Sequence, residues 1–329
     1  MQYVSTDDIV ACARGMRQAR ETALGLELVR FSDAALAIYR EPESRALRSL
    51  CPAGVVLDLL TDSDVLYLKA QIGPGARQPA YFDLYVDGVF VGTLGSATPE
   101  EVIEGELHWK STGTMRVTLY VPQCRMFGFR EVALADGASW SPAPLQPTLL
   151  ALGDSITQGM DAHHPSLIYP AVAARALGMG LYNCGVGGYV FDAASLPDPP
   201  ITDPALITVA YGTNDWSCHH DVAHARDYLA RVRTLYSTVP VVVLEPIWRT
   251  ACDGDPAEPN SYTLADYRRE LAAIVDEFLD VRYLPMSNLL PPGPVFLSDG
   301  THPDSVGHIT YGENLAKMLG RVLATESIR

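Results

Sequence analysis

The chain has 329 residues, of which 48% are hydrophobic and 19% are charged, and its formal net charge is −15 at pH 7. This length accommodates two domains, and the balance of apolar and charged residues is typical of packed globular domains rather than of disorder. Because a polyanion repels nucleic acid and anionic lipid, neither a nucleic acid nor a membrane surface is an expected partner.

The N-terminal stretch 1–31 mixes charged residues with short apolar patches and lacks the hydrophobic segment that a secretory signal needs. No segment approaches the roughly 18 consecutive apolar residues of a membrane span. The sequence therefore predicts a cytoplasmic protein, with a trimmed signal peptide as the alternative. The six cysteines are scattered and form no C-x-x-C pair, which predicts reduced, buried thiols rather than a disulfide framework or a structural zinc site.

The first 140 residues are predicted to form a β-sandwich or jelly roll, because short β-like runs alternate with turns. The runs 81–86 and 89–94 flank Asp87-Gly88, a strong signal for a two-residue hairpin turn. Only Thr6 to Arg20 is predicted to be helical in this part. Further strands are predicted at 55–60, 65–69 and 115–121.

A proline-rich stretch marks the clearest boundary in the chain. Prolines at positions 142, 144 and 147 favour a stiff, extended connector that cannot donate to a sheet ladder at those residues. The sequence thus predicts an N-terminal β-sandwich domain at 1–140, a linker at 141–147 and a second domain at 148–329.

Strands and helices alternate after this linker. Such alternation predicts an α/β domain with a parallel sheet covered by helices on both faces. Functional residues in such a sheet collect at the carboxyl ends of its strands. The predicted strands are 148–152, 205–211 and 241–244, and the predicted helices are 168–177, 222–236, 264–278 and 306–324.

Ser155 lies directly after the first of these strands, in the segment Gly153-Asp154-Ser155-Ile156-Thr157. A hydroxyl at this edge of the sheet, near the N–H groups of a helix terminus, is placed for nucleophilic catalysis. The alternative is that Ser155 only caps the following helix.

A serine nucleophile needs a base, and Asp299 and His302 lie three residues apart on a glycine-containing turn. The carboxylate can hold one imidazole nitrogen while the other takes the proton of Ser155. The alternative is that Asp299 caps a turn and that His302 opens the C-terminal helix, with Pro303 at its first position.

Two further segments offer donors to a developing oxyanion. Gly188 ends the flexible loop 184–188, where a backbone N–H can face a substrate without an obstructing side chain. Asn214 follows the strand 205–211, and its amide can donate to the same oxyanion. The alternative for Asn214 is a turn-stabilising role.

Taken together, these segments resemble the SGNH (GDSL) hydrolase superfamily. Its four blocks correspond to GDSIT at 153–157, NCGVGG at 183–188, GTND at 212–215 and DGTH at 299–302. The resemblance implies a three-layer α/β/α catalytic domain, with Ser155 as nucleophile, His302 as base and Asp299 orienting it. It further implies an oxyanion hole formed by the N–H groups of Ser155 and Gly188 and the side chain of Asn214.

The arrangement of a β-sandwich before such a domain resembles some carbohydrate esterases and some acyltransferases of antibiotic pathways. The expected function is ester hydrolysis through an acyl-Ser155 intermediate, with no metal or organic cofactor. An acyltransferase that moves the acyl group onto a hydroxyl of a natural product or sugar is the alternative. A third possibility, from another class, is a carbohydrate-binding protein with an inactive esterase domain. The expected partners are a small-molecule ester or acyl donor and a glycan or natural-product acceptor; the oligomeric state is left open.

Other polar residues near the motifs are not assigned to catalysis. The segments 163–164 and 218–221 are rich in histidine, but neighbouring residues seldom all point at one ion, and they are expected to rim the pocket. Asp154 and Asp215 are expected to support their loops by hydrogen bonds, and His308 is expected to be structural.

Overall fold

The computed structural model describes residues 1–250 and 262–326. Within these residues, the strands that precede residue 143 are β1 (Gln2–Tyr3), β2 (Ala13–Arg14), β3 (Gln18–Thr22), β4 (Gly25–Val29), β5 (Val56–Thr61), β6 (Val65–Gly75), β7 (Ala80–Val86), β8 (Val89–Ser96), β9 (Val102–His108), β10 (Met115–Tyr120), β11 (Arg125–Leu134) and β12 (Trp140–Pro142). The helices of this part are α1 (Thr6–Cys12), α2 (Asp33–Ile38) and α3 (Glu43–Leu50).

These strands form two antiparallel sheets. One sheet has the order β3-β4-β11-β6-β9, with β1 beside β11, and the other has the order β12-β5-β10-β7-β8, with β2 beside β5. Side chains from both sheets share one apolar core, for example Leu68 and Phe129 from the first sheet and Phe82 and Leu119 from the second. Because two sheets face each other across a common core, the predicted β-sandwich is confirmed.

The hairpin predicted at Asp87-Gly88 is also confirmed. Strands β7 and β8 pair up to Val86 and Val89, which leaves a two-residue loop. Asp87 has φ 47° and Gly88 has φ 78°. Positive φ at both positions is the signature of the type I′ turn, whose twist matches that of the strands it joins.

The helix predicted from Thr6 to Arg20 is wrong beyond Cys12. Ser5 caps α1 by accepting from the Asp8 N–H, but the chain turns extended at Ala13. It then pairs with β5 through β2 and with β4 through β3. Gly15 lies between these strands at φ 76°, a conformation that interrupts any helix there. Sheet pairing therefore overrides the helical pattern in this segment.

Helices α2 and α3 are not among the predicted elements. Ser32 caps α2 by accepting from the Ala35 N–H, whereas Pro42 precedes α3 without a side-chain cap. Both helices lie outside the sandwich core. Ala35 and Tyr39 instead belong to a separate apolar core, where they join Tyr182 and Cys184.

The prediction that the cysteines are reduced and buried is confirmed for four of the five described cysteines. Cys12, Cys51, Cys124 and Cys184 are buried free thiols. Cys218 is free but exposed, contrary to prediction, because it lies at the solvent-facing end of a short helix. Cys252 falls outside the described residues.

After residue 147 the described strands are β13 (Thr148–Gly153), β14 (Gly180–Asn183), β15 (Leu206–Ala210), β16 (Val241–Leu244) and β17 (Val281–Leu284). The described helices are α4 (Ser155–Gln158), α5 (Tyr169–Ala176), α6 (Thr213–Ser217), α7 (His224–Leu235), α8 (Leu264–Val275) and α9 (Ser305–Glu326). The strands pair in parallel in the order β14-β13-β15-β16-β17. The predicted parallel sheet is thus confirmed.

Successive residues of these strands point to opposite faces of the sheet. Leu150 and Leu152 of β13 pack on the face covered by α7 and α8, whereas Leu149 packs on the face covered by α5 and α9. The result is the three-layer α/β/α arrangement. Among the described residues, no helix is both long and apolar enough to cross a membrane.

The two halves of the chain join at residues 141–147. The structure places Ser141 and Pro142 in β12, which pairs with β5, so the connector begins inside the sandwich sheet. We propose that the domain boundary lies in the remainder of this stretch, where Leu145 is 81% exposed.

Candidate active site

Ser155 occupies the first position of α4, directly beyond the carboxyl end of β13. The cap of this helix is Asp154, whose Oδ1 accepts from the Ile156 N–H at 2.9 Å. The alternative reading of Ser155 as the capping residue is therefore wrong. Gly153 allows the tight turn, because a Cβ there would lie 2.0 Å from Thr157 Oγ1.

Ser155, His302 and Asp299 form one hydrogen-bonded chain. His302 Nε2 lies 2.9 Å from Ser155 Oγ, and His302 Nδ1 lies 2.8 Å from Asp299 Oδ2. An ionised Asp299 can only accept a hydrogen bond, so Nδ1 carries the ring proton and Nε2 is left as the acceptor for the serine hydroxyl. The geometry needed for proton removal from Ser155 is thus in place.

The loop around Asp299 fixes the orientation of this carboxylate. Asp299 Oδ1 accepts from the N–H groups of Thr301 and His302 at 2.9 and 2.8 Å. Leu297 and Pro303 form an isolated antiparallel bridge that closes the loop. Burial opposes ionisation of Asp299, but the hydrogen bonds and the charge of His302 outweigh it and lower its pKa to about 2.

Asp161 brings a second carboxylate to the same imidazole, and sequence reasoning missed it. Its Oδ2 lies 3.9 Å from His302 Nδ1 and accepts from Ser298 Oγ. Its Oδ1 pairs with Arg77, which follows β6 of the sandwich. No local motif marks Asp161, although its φ of 68° is rare for a residue other than glycine.

Asp161, Asp299 and His302 each place one potential ligand atom within 4.8 Å of the others. Among the described residues they are the group that could hold a cation. Their oxygen and nitrogen atoms are already engaged with one another, with Arg77 and with Ser298.

The loop 183–188 that follows β14 is held by hydrogen bonds along its length. Asn183 donates to the Thr157 carbonyl and accepts from the Gly185 N–H at 2.7 and 2.8 Å. Gln158 Oε1 accepts from the Gly187 N–H at 2.8 Å. The helix that carries Ser155 and this loop are therefore fixed relative to each other.

A buried arginine of the N-terminal half also clamps this loop. Arg30 is 1% exposed and donates through Nη1 to the carbonyl groups of Asn183 and Gly185 at 2.8 and 2.9 Å. Its Nε donates to the Cys51 carbonyl at 2.7 Å. Burial lowers the pKa of this guanidinium. The β-sandwich half thus helps to shape the site.

Gly185 and Gly188 differ in their surroundings. A Cβ at Gly185 would lie 2.3 Å from the Gln158 nitrogen, so this glycine is required for packing. Gly188 is exposed, has φ 74°, and its N–H is free to face a substrate. The predicted choice of Gly188 as oxyanion donor agrees with this placement and stays a proposal.

Asn214 lies in α6, beyond the carboxyl end of β15, and is partly exposed. Its Nδ2 donates one proton to the Tyr189 carbonyl at 2.9 Å. This bond orients the amide, and the second N–H of the same nitrogen has no acceptor in the described part of the chain. Asn214 can therefore donate to an oxyanion.

Asp154 and Asp215 support the loops, as predicted. Asp215 accepts from the N–H groups of Phe191 and Gly212 at 3.0 and 3.1 Å and so joins two loops of the site. Burial raises the pKa of Asp215 to about 6 and that of Asp154 to about 7.

The histidines at 163–164 and 218–221 do not gather at one point. His164 binds the fully buried Asp83 of β7 at 2.9 Å and stacks on Tyr81, so it joins the two halves of the chain. This hydrogen bond raises the pKa of His164. The expectation that His164 rims the pocket stays a prediction. His219 and His220 lie exposed beyond α6.

His308 is fully buried in α9, as expected of a structural histidine. Its Nδ1 accepts from the Tyr169 N–H at 3.2 Å and its Nε2 donates to the Met160 carbonyl at 3.1 Å. The bond that Nδ1 accepts needs the neutral ring, and burial lowers the pKa of His308 to about 4.

We expect His308 to make folding sensitive to acid. The pKa of His308 in the folded protein lies below the ordinary value of 6.5. The contribution of the neutral ring to the free energy of unfolding is therefore complete above pH 6.5 and is lost as the pH falls toward 4. With about 1.4 kcal/mol per tenfold change in proton affinity, the loss reaches at most about 3 kcal/mol. Urea unfolding of wild type and His308→Gln at pH 7 and 4.5 measures it. The free energy of unfolding should change less between pH 7 and 4.5 in His308→Gln than in wild type. Equal changes in both proteins would contradict the role assigned to His308.

The model of the GDSL-like lipase/acylhydrolase family matches residues 151–308. No curated protein matches the chain. The salicylyl-acyltransferase SsfX3 from a tetracycline biosynthetic pathway is a similar solved structure, with 24% identity, coverage of 98% of this chain and 97% of that chain, and a TM-score of 0.83.

Two carbohydrate esterases of family two are also similar. The enzyme from Cellvibrio japonicus shares 16% identity over 96% of this chain and 97% of its own, with a TM-score of 0.61. The enzyme from Clostridium thermocellum, solved with cellohexaose, shares 17% identity over 83% of this chain and 93% of its own, with a TM-score of 0.60. At these identities the likeness establishes a shared fold. The family match identifies residues 151–308 of the chain as a GDSL-like lipase/acylhydrolase domain.

Proposed function

We propose that the protein is a serine-dependent carboxylic ester hydrolase that works through an acyl-Ser155 intermediate. The observation that carries this proposal is the hydrogen-bonded chain from Ser155 Oγ through His302 to Asp299, with heavy-atom distances of 2.9 and 2.8 Å. A serine becomes a nucleophile when an oriented base removes its proton, and this chain supplies the base and its orientation.

In the first half-reaction, Ser155 Oγ attacks the ester carbonyl while His302 Nε2 takes its proton. Negative charge then develops on the carbonyl oxygen, where the N–H groups of Ser155 and Gly188 and the amide of Asn214 stabilise it. His302 returns the proton to the departing alcohol, and the acyl group stays on Ser155. Asp299 holds the imidazole in one tautomer and stabilises its protonated form.

The acyl-enzyme is then resolved by water or by another alcohol. Acyl transfer to a hydroxyl of a natural product or sugar is the second candidate function, and the likeness to SsfX3 along almost the whole chain favours it. The likeness to carbohydrate esterases favours hydrolysis. A transferase must hold the acceptor hydroxyl at high effective concentration and keep water away from the acyl group.

Partition of one acyl group between water and added alcohols separates the two candidates. The enzyme is incubated with p-nitrophenyl acetate or phenyl salicylate, with and without sugar and phenolic acceptors, and the products are quantified by mass spectrometry. A hydrolase yields free acid at a rate that the acceptor leaves unchanged, whereas a transferase yields a new ester and turns over faster with its acceptor. No consumption of any ester by folded protein would overturn both candidates.

A carbohydrate-binding protein with an inactive esterase domain is the competing class. Labelling with a fluorophosphonate probe decides between this class and an enzyme, because the probe reacts only with an activated serine. We expect stoichiometric labelling of Ser155. Folded protein that stays unlabelled would favour the binding protein.

Replacement of Asn214 by alanine should lower kcat by about 100- to 1000-fold, the usual effect of losing one oxyanion donor. Ser217→Ala is the matched control, because Ser217 lies in the same helix and only bonds the Asn214 carbonyl. Steady-state kinetics with p-nitrophenyl acetate measures both. Similar rates for Asn214→Ala and Ser217→Ala would remove Asn214 from the oxyanion hole.

A further inference from the structure

Arg48 of α3 borders the proposed oxyanion loop although it belongs to the N-terminal half of the chain. Its Nη1 donates to the Gly187 carbonyl at 2.9 Å. A Cβ on Gly188 would lie 2.9 Å from the same nitrogen. The guanidinium therefore lies beside the residue whose N–H we assign to the oxyanion, and a side chain at position 188 would collide with it.

The charge of Arg48 is not balanced by a carboxylate of the described residues. Among residues 1–250 and 262–326, Arg77 pairs with Asp161 and Arg116 pairs with Asp58, but Arg48 forms no ion pair. Its Nε and Nη2 have no acceptor in this part of the chain and are not among the buried unpaired atoms. Among the described residues, two donor groups of the fork are thus left for a ligand to bind.

A partly buried cation without a counter-charge is costly to maintain. Burial lowers the pKa of Arg48, and the charges of Arg77 and Arg45 lower it further. The rest of the molecule is acidic, with a net charge of −15. An anion bound beside Gly188 would relieve this cost. A carboxylate suits this position, because the planar guanidinium fork can donate two parallel hydrogen bonds to its two oxygens.

We propose that Arg48 binds an anionic oxygen group of the substrate, so that the preferred ester carries a carboxylate close to its reacting carbonyl. This inference rests on the proposed function, since it names the substrate class of the same site. The carboxylate can belong to the acyl group or to the alcohol, and the test treats the two sources separately.

A purely structural role for Arg48 is the competing explanation. Its side chain donates to the Gly187 carbonyl and so supports the loop. Its own carbonyl accepts from Gln158 Nε2 at 2.9 Å. A loop brace affects all esters alike. An anion receptor affects charged esters more than neutral ones, so the ratio of the two rates separates the roles.

The experiment compares kcat/KM for matched charged and neutral esters in wild type and Arg48→Gln. The acyl-side pair is p-nitrophenyl hemisuccinate and its neutral methyl ester; the alcohol-side pair is p-acetoxybenzoate and its methyl ester. We expect the charged-to-neutral ratio of one pair to fall about 10- to 100-fold in the variant, as for the loss of a charged hydrogen bond. Arg226→Gln is the control, because it removes the same charge from an exposed surface pair with Glu277; its ratios should match those of wild type.

Ratios that stay unchanged for both pairs in Arg48→Gln, whatever the overall rate, would overturn the inference. Calorimetric titration of Ser155→Ala with succinate and benzoate provides a readout that needs no turnover. Weaker binding after Arg48→Gln in this background supports the anion site even if no ester is cleaved, and equal or absent binding overturns it. Failure of the proposed function alone would appear as absent ester cleavage and absent fluorophosphonate labelling in wild type.

Discussion

Alanine in place of Ser155 is expected to lower kcat for ester cleavage by about 10⁶-fold, the effect of removing the serine of a catalytic triad. The side chain is 4% exposed, and its Oγ is bound to His302 rather than to the backbone of its own helix. Asp154 supplies the helix cap, so the fold should survive the substitution. Steady-state kinetics gives the loss, and circular dichroism with thermal unfolding checks the fold.

Ser195→Ala is the matched control for this substitution. Ser195 is also buried, at 3% exposed, but its Oγ donates to the Asp192 carbonyl and is not bound to His302. We expect its kcat and its fluorophosphonate labelling to match those of wild type. Cleavage of p-nitrophenyl acetate by Ser155→Ala at a rate near that of wild type would refute the assignment of the nucleophile.

The second large effect concerns the two carboxylates beside His302. Asp299→Ala should lower kcat by about 10³- to 10⁴-fold, because the imidazole loses the group that selects its tautomer. Asp161→Asn alone should cost about tenfold, or about 1.4 kcal/mol. Without Asp299, the carboxylate of Asp161 at 3.9 Å becomes the nearest acceptor for His302 Nδ1. Asp161→Asn should therefore cost more in the Asp299→Ala background than in wild type.

A double-mutant cycle measures this coupling through kcat. Equal costs of Asp161→Asn in both backgrounds would show that Asp161 does not replace Asp299 and acts only through Ser298 and Arg77. Asp203→Asn, at an exposed position, controls for the loss of one negative charge. Asp299 has a pKa of about 2, so its own titration should not shape the pH profile of kcat above pH 4.

Local sequence patterns predict those elements whose conformation is determined by neighbouring residues in the sequence. Asp87-Gly88 forms the turn that its sequence specifies, and the apolar run 241–244 forms β16 with those bounds. The helix predicted to reach Arg20 ends at Cys12, because pairing of the next residues with β5 and β4 decides their conformation. Such pairing depends on partners distant in sequence.

The same distinction applies to the candidate site. Ser155, Gly188, Asn214, Asp299 and His302 stand in recognisable motifs, and the fold brings their segments to one edge of the parallel sheet. Arg30, Arg48, Arg77 and Asp161 lie in no motif. They reach the site through contacts that span up to 155 residues of sequence, as from Arg30 to Gly185, and only the packed structure reveals them.

Rapid-quench mass spectrometry tests the acyl-Ser155 intermediate most directly. Wild-type enzyme is mixed with excess p-nitrophenyl ester, quenched in acid within the first turnover and digested, and the acylated peptide is sequenced. We predict one acyl group per chain on the peptide that contains Ser155, and none in Ser155→Ala. Turnover by wild-type protein with no adduct, or with the adduct on another residue, would contradict the account.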